Sequence, residues 1–270
     1  MERAVMDGLT LEYEVAGTGA AVVFIHGALV AGTFRPLLEE PSLVGRYRLI
    51  NYHRRGYGGS TKSLGPTSLA EQAADCRALL RHLAIERAHV VGHSFGGSIA
   101  LEFAMDFPEA TRSLALLEPA LFLGSTAESY RAALAKNEQR YREAGAAVVV
   151  EEFLEPRFGA GYRALLDEVL PGAFAQAVAD AGTWFEREIA AIGRWTFGEA
   201  ELGRIRQPVL AVLGSESDAL WPRFGETQRQ LLATLRDVQG FILPGATHAL
   251  QMQNPRGLAE ALADFFGRRG

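Results

Sequence analysis

The chain has 270 residues, of which 48% are hydrophobic and 22% charged, with a formal net charge of −5. This composition is typical of a globular protein that buries a large core. The negative charge and scattered basic residues predict no nucleic-acid partner, and the apolar stretches are too short to span a membrane. With the single cysteine, Cys76, and a first segment unlike a secretory signal, we expect a cytoplasmic protein.

The first 120 residues alternate between strand and helix patterns. Residues 9–15 alternate between apolar and polar side chains, which is typical of a half-buried strand. A capping box at Ser68 and Glu71 opens a helical pattern that extends to about Ala84. Continuous apolar runs predict strands that are buried on both faces, at residues 21–25, 47–52, 89–94 and 114–118. This alternation predicts an α/β fold with a mostly parallel, doubly covered sheet.

Between residues 121 and 206 the buried-strand signals mostly stop and helical periodicity takes over. Residues 146–153 could form a strand, but their helical flanks favour a helix. We expect helix breaks at Pro156-Arg157, at Gly159 to Gly161 and at Pro171-Gly172. Strand and helix patterns then resume, with strands at 208–214 and 238–243 and helices at 226–235 and 254–266. The sequence therefore predicts a core formed by residues 1–120 and 207–270 and a helical cap inserted at 121–206.

The sequence Gly92-His93-Ser94-Phe95-Gly96 follows a predicted strand and precedes a predicted helix. A G-x-S-x-G sequence in this setting is typical of a nucleophile elbow, a sharp turn that exposes a serine hydroxyl at the carboxyl edge of the sheet. Side chains at the two glycine positions would collide with the neighbouring strand and helix. Ser94 is therefore the candidate nucleophile.

Four segments resemble the α/β-hydrolase superfamily in order and spacing: VVFIHGA, NYHRRGYGGS, VVGHSFGGSIAL and LPGATHAL. The resemblance covers nearly the whole chain outside the cap and implies a triad in the order serine, acid, histidine. His248 is the only histidine well downstream of Ser94, and serine needs an imidazole to take its proton. The resemblance also implies an oxyanion hole formed by the backbone N–H groups of Ala28 and Phe95. It implies neither a cofactor nor a metal.

The acid of the triad has two candidates. Most members of the superfamily place an aspartate in the turn after the strand that corresponds to residues 208–214, where this chain has Ser217 followed by Asp218. Some branches, including zearalenone-type lactone hydrolases, instead use a glutamate at the end of the preceding core strand, where this chain has Glu118. Either carboxylate could fix the tautomer of His248. The resemblance favours Glu118 and leaves Asp218 as the alternative.

These residues predict a serine hydrolase that cleaves an ester or lactone of a small, largely apolar and uncharged molecule. The alternatives are a carbon–carbon bond hydrolase, a cofactor-free perhydrolase, or a slow small-molecule receptor, since one fold supports all of these. Hydrolytic dehalogenases and epoxide hydrolases of this fold use an aspartate nucleophile, so Ser94 disfavours both. The expected partner is a small-molecule substrate, and a monomer and a homodimer both remain open.

For residues around the site, the sequence predicts only general roles. Leu29, Trp184 and Trp221 are candidate substrate contacts, although aromatic residues of a cap can equally pack against the core. Arg54 and Arg55, in the HRRGYGGS segment, are expected to brace the edge of the sheet.

Overall fold

The structure is a computed structural model that describes residues 1–63 and 65–268. Within them, eight strands form one sheet in the order β1-β2-β4-β3-β5-β6-β7-β8. The strands are β1 (Glu2–Met6), β2 (Leu9–Ala16), β3 (Ala20–Ile25), β4 (Tyr47–Tyr52), β5 (Ala88–His93), β6 (Thr111–Leu117), β7 (Val209–Gly214) and β8 (Val238–Leu243). All pairs from β4 to β8 are parallel, which confirms the predicted fold class.

The first two strands are antiparallel to their neighbours. The sequence patterns predict β2 but miss β1, whose residues are exposed or half-buried except Ala4. A strand at the edge of a sheet has little apolar surface to bury, so its hydrophobic signal is weak.

Helices cover both faces of the sheet. The α-helices are α1 (Pro41–Val44), α2 (Leu69–His82), α3 (Phe95–Asp106), α4 (Ala127–Ala144), α5 (Ala146–Phe158), α6 (Tyr162–Val169), α7 (Ala173–Ala179), α8 (Ile189–Arg194), α9 (Glu199–Leu202), α10 (Ser217–Leu220), α11 (Arg223–Thr234), α12 (Leu250–Gln253) and α13 (Pro255–Gly267). A π-helical segment, Thr183–Glu188, precedes α8. Among the described helices, none is long and apolar enough to cross a bilayer.

The segment between β6 and β7, which the structure describes in full, consists of helices joined by loops and contains no strand, in the position of the predicted cap. Its helix α5 includes residues 146–153, which were expected to be helical, and continues through Pro156 to Phe158. The predicted break at Pro156-Arg157 is therefore wrong. Phe153, Leu154 and Phe158 are buried on this helix, and such tertiary packing overrides the local cost of an internal proline. The domain limits themselves stay a prediction, and the predicted core also includes Leu64 and residues 269–270, which lie outside the described residues.

Glycines at the end of β5 and the start of α3 allow the chain to turn sharply at Ser94. A Cβ atom at Gly92 would lie 2.4 Å from the Gly96 carbonyl oxygen. A Cβ atom at Gly96 would lie 2.1 Å from the carbonyl oxygen of Ile25 on β3. Because both obstacles are backbone atoms, they cannot move aside as a flexible side chain would. Glycine at these positions therefore lets β3, β5 and α3 pack closely around the turn.

Substituting Gly96→Ala should lower the free energy of unfolding by about 3 kcal/mol, because the new methyl group overlaps the backbone of β3. Gly193→Ala is the matched control, since Gly193 lies on α8 with nothing within 4 Å of its Cβ position. That control should leave stability unchanged or raise it by up to about 1 kcal/mol. Urea unfolding followed by circular dichroism measures both. Equal effects of the two substitutions would contradict the steric argument.

Candidate active site

Ser94 lies between β5 and α3 in a strained backbone conformation, with φ of 54° and ψ of −121°. Its N–H donates to the carbonyl of Leu117 at 2.9 Å, and its carbonyl accepts from the N–H of Ala120, also at 2.9 Å. These bonds connect the turn to the end of the neighbouring strand β6. A non-glycine residue with positive φ is costly and persists only where its surroundings enforce it. Ser94 itself is only half-buried.

Glu118 follows β6 directly and contacts His248. Its Oε2 atom lies 2.5 Å from Nδ1 of His248, and its Oε1 atom accepts from the Gly214 N–H at 2.8 Å. Glu118 also has a positive φ, of 45°. Both side chains of the pair are almost fully buried, at 1% exposure for Glu118 and 4% for His248. The carboxylate thus fixes the imidazole ring and holds the proton on Nδ1, which leaves Nε2 as the basic nitrogen.

The burial of Glu118 and His248 disfavours the charged form of each side chain. Burial raises the pKa of Glu118 to about 7, against the lowering effects of Ser217 and the Gly214 N–H. Burial also lowers the pKa of His248 well below 6.5, and the positive charges of Arg157 and Arg223 lower it further. His248 is therefore neutral at pH 7, the state in which an imidazole accepts a proton.

Asp218, the alternative acid, lies elsewhere. It is exposed, and its Oδ1 atom accepts from the N–H of Gly225 at 3.1 Å, so it joins α10 to α11. Ser217, at the position where an aspartate is usual, is fully buried. Its hydroxyl lies beside the Glu118 carboxyl without a well-formed hydrogen bond. The structure therefore brings Glu118, and not Asp218, to His248.

The loop after β3 packs against Ser94, next to the start of α3. A Cβ atom at Gly27 would lie 3.1 Å from Cβ of Ser94, and the following residue, Ala28, is half-buried. Phe95 is the first residue of α3, so its N–H has no earlier helical carbonyl as a partner. The two amides predicted to form an oxyanion hole thus lie in segments that adjoin the nucleophile. The positive end of the α3 dipole favours negative charge there.

His93 supports the other side of the site. Burial lowers its pKa to about 3, so the ring is neutral, and its Nε2–H donates to the backbone carbonyl of His248 at 2.8 Å. The two imidazole rings are 4.6 Å apart between centroids. His93, which directly precedes Ser94, therefore fixes the backbone of the loop that carries His248.

Arg54 has a larger role than bracing the sheet edge. It is 1% exposed; its Nε donates to the carbonyl of His26 at 3.0 Å and its Nη2 to that of Gly27 at 2.9 Å. It also pairs with Glu188 of the π-helical segment. This arginine thus fixes the loop that carries Ala28 and ties it to the cap. The local sequence gives no sign of Glu188, because the pair spans more than 130 residues and forms only through tertiary packing.

Tyr57 makes a second connection between the same elements. Its hydroxyl donates to Oε2 of Glu188 at 2.7 Å and accepts from the N–H of Leu29 at 3.4 Å. Leu29 has a positive φ of 67°, so this bond helps to hold the loop in an unfavourable conformation.

The candidate substrate contacts lie in three different environments. Leu29 borders a cavity of about 360 Å³, whose lining includes neither Ser94 nor His248. Trp184 is 1% exposed and packs between the rings of Phe95 and Phe153, so it joins cap to core. Trp221 is half-buried and borders a cavity of about 270 Å³.

Within the described residues, no group of three histidine, cysteine or acidic side chains could hold a metal ion.

Comparison with known proteins assigns the family. Residues 22–261 match the sequence model of the alpha/beta hydrolase family. A protein of Variovorax paradoxus that is named only provisionally as a carbamate hydrolase is 30% identical to this chain. The match covers 96% of this chain and 97% of the relative. The chain therefore belongs to the alpha/beta hydrolase family.

Solved structures have the same fold. A thermophilic esterase from Thermogutta terrifontis superposes with a TM-score of 0.84 at 22% identity, over 100% of this chain and 99% of its own. The enol-lactonase of Burkholderia xenovorans gives a TM-score of 0.84 at 21% identity, over 98% of this chain and 100% of the lactonase chain. In other curated relatives the matched segments are shorter, and the chain spans 40% to 49% of the length of three of them.

If Glu118 orients His248, Glu118→Gln should lower kcat/KM by about 10²- to 10⁴-fold, because the amide stabilises neither the correct tautomer nor the imidazolium. Asp218→Asn, the matched control, should change kcat/KM by less than about 3-fold, since its carboxylate serves only a backbone N–H that the amide oxygen can also accept. Hydrolysis of p-nitrophenyl butyrate measures both variants. The reverse order of effects would assign the acid to Asp218.

The pH profile provides a separate test of the pair. Because the pKa of Glu118 is raised to about 7 and that of His248 is lowered, the first proton should bind to the carboxyl. Activity requires the deprotonated pair, so kcat/KM should fall as the pH drops below about 7. In Glu118→Gln only His248 titrates, and the fall should move to a pH below 6.5. Initial rates between about pH 4 and 9 measure the shift; profiles that fall at the same pH would contradict it.

Proposed function

We propose that this chain is a serine carboxylic ester hydrolase that cleaves esters or lactones of small molecules through an acyl-enzyme intermediate. The observation that carries the proposal is the contact of Glu118 with Nδ1 of His248 beside a strained nucleophile elbow at Ser94. A buried carboxylate, a neutral imidazole and a serine at a helix start form the arrangement that activates a hydroxyl. Two relatives that are named only provisionally as carbamate hydrolases add carbamates to the substrates worth testing.

In the proposed first step, the Ser94 Oγ atom attacks the substrate carbonyl while Nε2 of His248 takes the hydroxyl proton. The carbonyl oxygen becomes negative, and the N–H groups of Ala28 and Phe95 stabilise that charge. Glu118 stabilises the imidazolium that forms. Nε2–H then protonates the leaving alcohol oxygen, the carbon–oxygen bond breaks, and the acyl group stays on Ser94.

In the second step, Nε2 of His248 takes a proton from a water molecule as the water oxygen attacks the acyl carbon. The same oxyanion donors serve the second tetrahedral intermediate. Its collapse returns the proton to Ser94 Oγ and releases the carboxylic acid. The fixed loop around Gly27 supports this sequence, because oxyanion donors act best when they need no reorganisation during the reaction.

Labelling with a fluorophosphonate tests the nucleophile directly. Intact-protein mass spectrometry should find one adduct on the native chain and none on Ser94→Ala, because only an activated serine attacks the phosphorus. Ser98→Ala is the matched control: this buried serine lies one helical turn away and donates to the Ala120 carbonyl at 2.6 Å, so its loss should leave the adduct. An adduct that persists in Ser94→Ala would contradict the assignment.

Turnover separates an enzyme from a slow receptor. An ester hydrolase should release product well beyond one equivalent of protein from a panel of esters, lactones and carbamates. Product that stops at one equivalent would favour the receptor, and cleavage of a diketone alone would favour a carbon–carbon bond hydrolase.

A further inference from the structure

Two arginines are buried beside the catalytic histidine without a carboxylate partner. Arg157, near the end of α5, is 8% exposed, and Arg223, the first residue of α11, is 4% exposed. Within residues 1–63 and 65–268, neither guanidinium forms an ion pair with a carboxylate. Each makes one hydrogen bond to a backbone carbonyl: Arg157 to Phe153, within its own helix, and Arg223 to Leu121 at 2.9 Å.

Aromatic rings provide the remaining contacts. The Arg157 Cζ atom lies 3.7 Å from the ring centroid of Phe153 and 4.5 Å from that of Trp221. The Arg223 Cζ atom lies 3.5 Å from the Tyr130 ring and 5.3 Å from the Trp221 ring. The two guanidinium groups therefore share the ring of Trp221. Stacking of this kind offsets only part of the cost of removing a cation from water.

Both arginines adjoin His248 through the residue that follows each in the chain. The ring of Phe224 stacks on His248 at 4.4 Å between centroids, and the ring of Phe158 lies 6.1 Å from it. Arg223 also borders the cavity of about 270 Å³ that Tyr130 and Trp221 line. The lining of this cavity includes neither Arg157 nor His248, so a small ligand in it would contact the guanidinium of Arg223, whose neighbour in the chain, Phe224, stacks on His248.

Arg54 shows what this chain does with a buried arginine that has only a structural role. Arg54 is 1% exposed and is paired with Glu188, so its charge is compensated inside the protein. The two acids that act electrostatically on Arg223, Glu118 and Glu226, direct their hydrogen bonds to other groups. Glu118 holds His248 and the Gly214 N–H, and Glu226 accepts from the N–H and hydroxyl of Ser125. Glu118 and Glu226 thus act on Arg223 only at a distance, and, in the part of the chain that the structure describes, both guanidinium groups lack an ion-pair partner next to the active site.

We propose that Arg157 and Arg223 bind a carboxylate group of the substrate, so that the enzyme acts on esters or lactones that carry a second, free carboxylate. This inference rests on the proposed hydrolase function and names its substrate class. Guanidinium groups match the geometry of a carboxylate, and such charge-assisted bonds are strong when buried. The sequence predicts an uncharged substrate, because a capped site of this kind is usually apolar; this proposal departs from that prediction.

Substrate charge would also assist the chemistry. The positive charges of Arg157 and Arg223 lower the pKa of His248, and so they oppose the imidazolium that forms when Ser94 attacks. A bound carboxylate compensates these charges and makes the proton transfer easier. Substrates without the carboxylate would lose this assistance in addition to the binding contact.

The test compares substrates that differ only in this charge. Monoethyl glutarate carries the carboxylate on the acyl side, and ethyl glutaramate is its neutral, nearly isosteric amide. Carboxyethyl butyrate and carbamoylethyl butyrate make the same comparison on the alcohol side. In one of the two pairs, kcat/KM should favour the acid by about 10- to 100-fold, the range expected for one or two charge-assisted bonds. Equal rates in both pairs, or faster cleavage of the amides, would overturn the proposal.

Variants then assign the preference to the two arginines. Arg157→Met and Arg223→Met should each reduce the acid-to-amide ratio about 10-fold. Arg163→Met is the matched control: Arg163 also stacks on an aromatic ring, that of Phe174, but is half-exposed and paired with Glu151. The acid-to-amide ratio of kcat/KM for Arg163→Met should equal that of the native chain. An unchanged ratio in both buried-site variants would overturn the assignment, and the comparison on the native chain remains decisive if a variant does not fold.

Failure of this inference can be told from failure of the proposed function. A fluorophosphonate adduct on Ser94 with no acid preference would leave the hydrolase intact and reject the carboxylate site. If no adduct forms and no ester is cleaved, the proposed hydrolase function is rejected. The anion site is then tested by thermal unfolding with glutarate, which should raise the Tm of the native chain but not of an Arg157→Met, Arg223→Met double variant.

Discussion

At Ser94 the chain leaves β5 with a positive φ of 54°, and the rest of the site depends on how that turn is held. Hydrogen bonds from and to Ser94 fix Leu117 and Ala120, so Glu118, which follows Leu117 directly, is held close to Ser94. The close approach of Gly96 to the backbone of β3 brings in the loop with Gly27. One strained turn therefore sets the positions of Glu118 and of the loop that carries Ala28, one of the two proposed oxyanion donors.

Buried charge is the second organising constraint. Glu118 lies against a neutral His248, and burial shifts both pKa values against the charged forms. Arg54 compensates Glu188 inside the protein, whereas Arg157 and Arg223 have no such partner among the described residues. A protein tolerates an uncompensated buried cation only at a cost in stability. The contrast between these arginines separates a structural pair from a site that fits an anionic ligand.

The cap contributes to the site in two ways. Glu188 binds both Arg54 and Tyr57, which hold the loop after β3, so the loop that carries Ala28 is fixed partly from the cap side. Helix α5 supplies Arg157 and the ring of Phe158 beside His248. Movement of the cap relative to the sheet would therefore alter both the loop that carries Ala28 and the charge next to His248.

The sequence by itself determined the fold class, the elbow at Ser94 and the candidate base His248, because these depend on short patterns: apolar runs, a G-x-S-x-G turn and a histidine after the last core strand. It favoured Glu118 over Asp218 only through the family resemblance, missed Glu188, and assigned no role to Arg157 or Arg223. Only the tertiary structure decided which carboxylate meets which cation. Such contacts join residues more than 100 positions apart, and the burial that sets their charge states arises only when the cap and the sheet pack together.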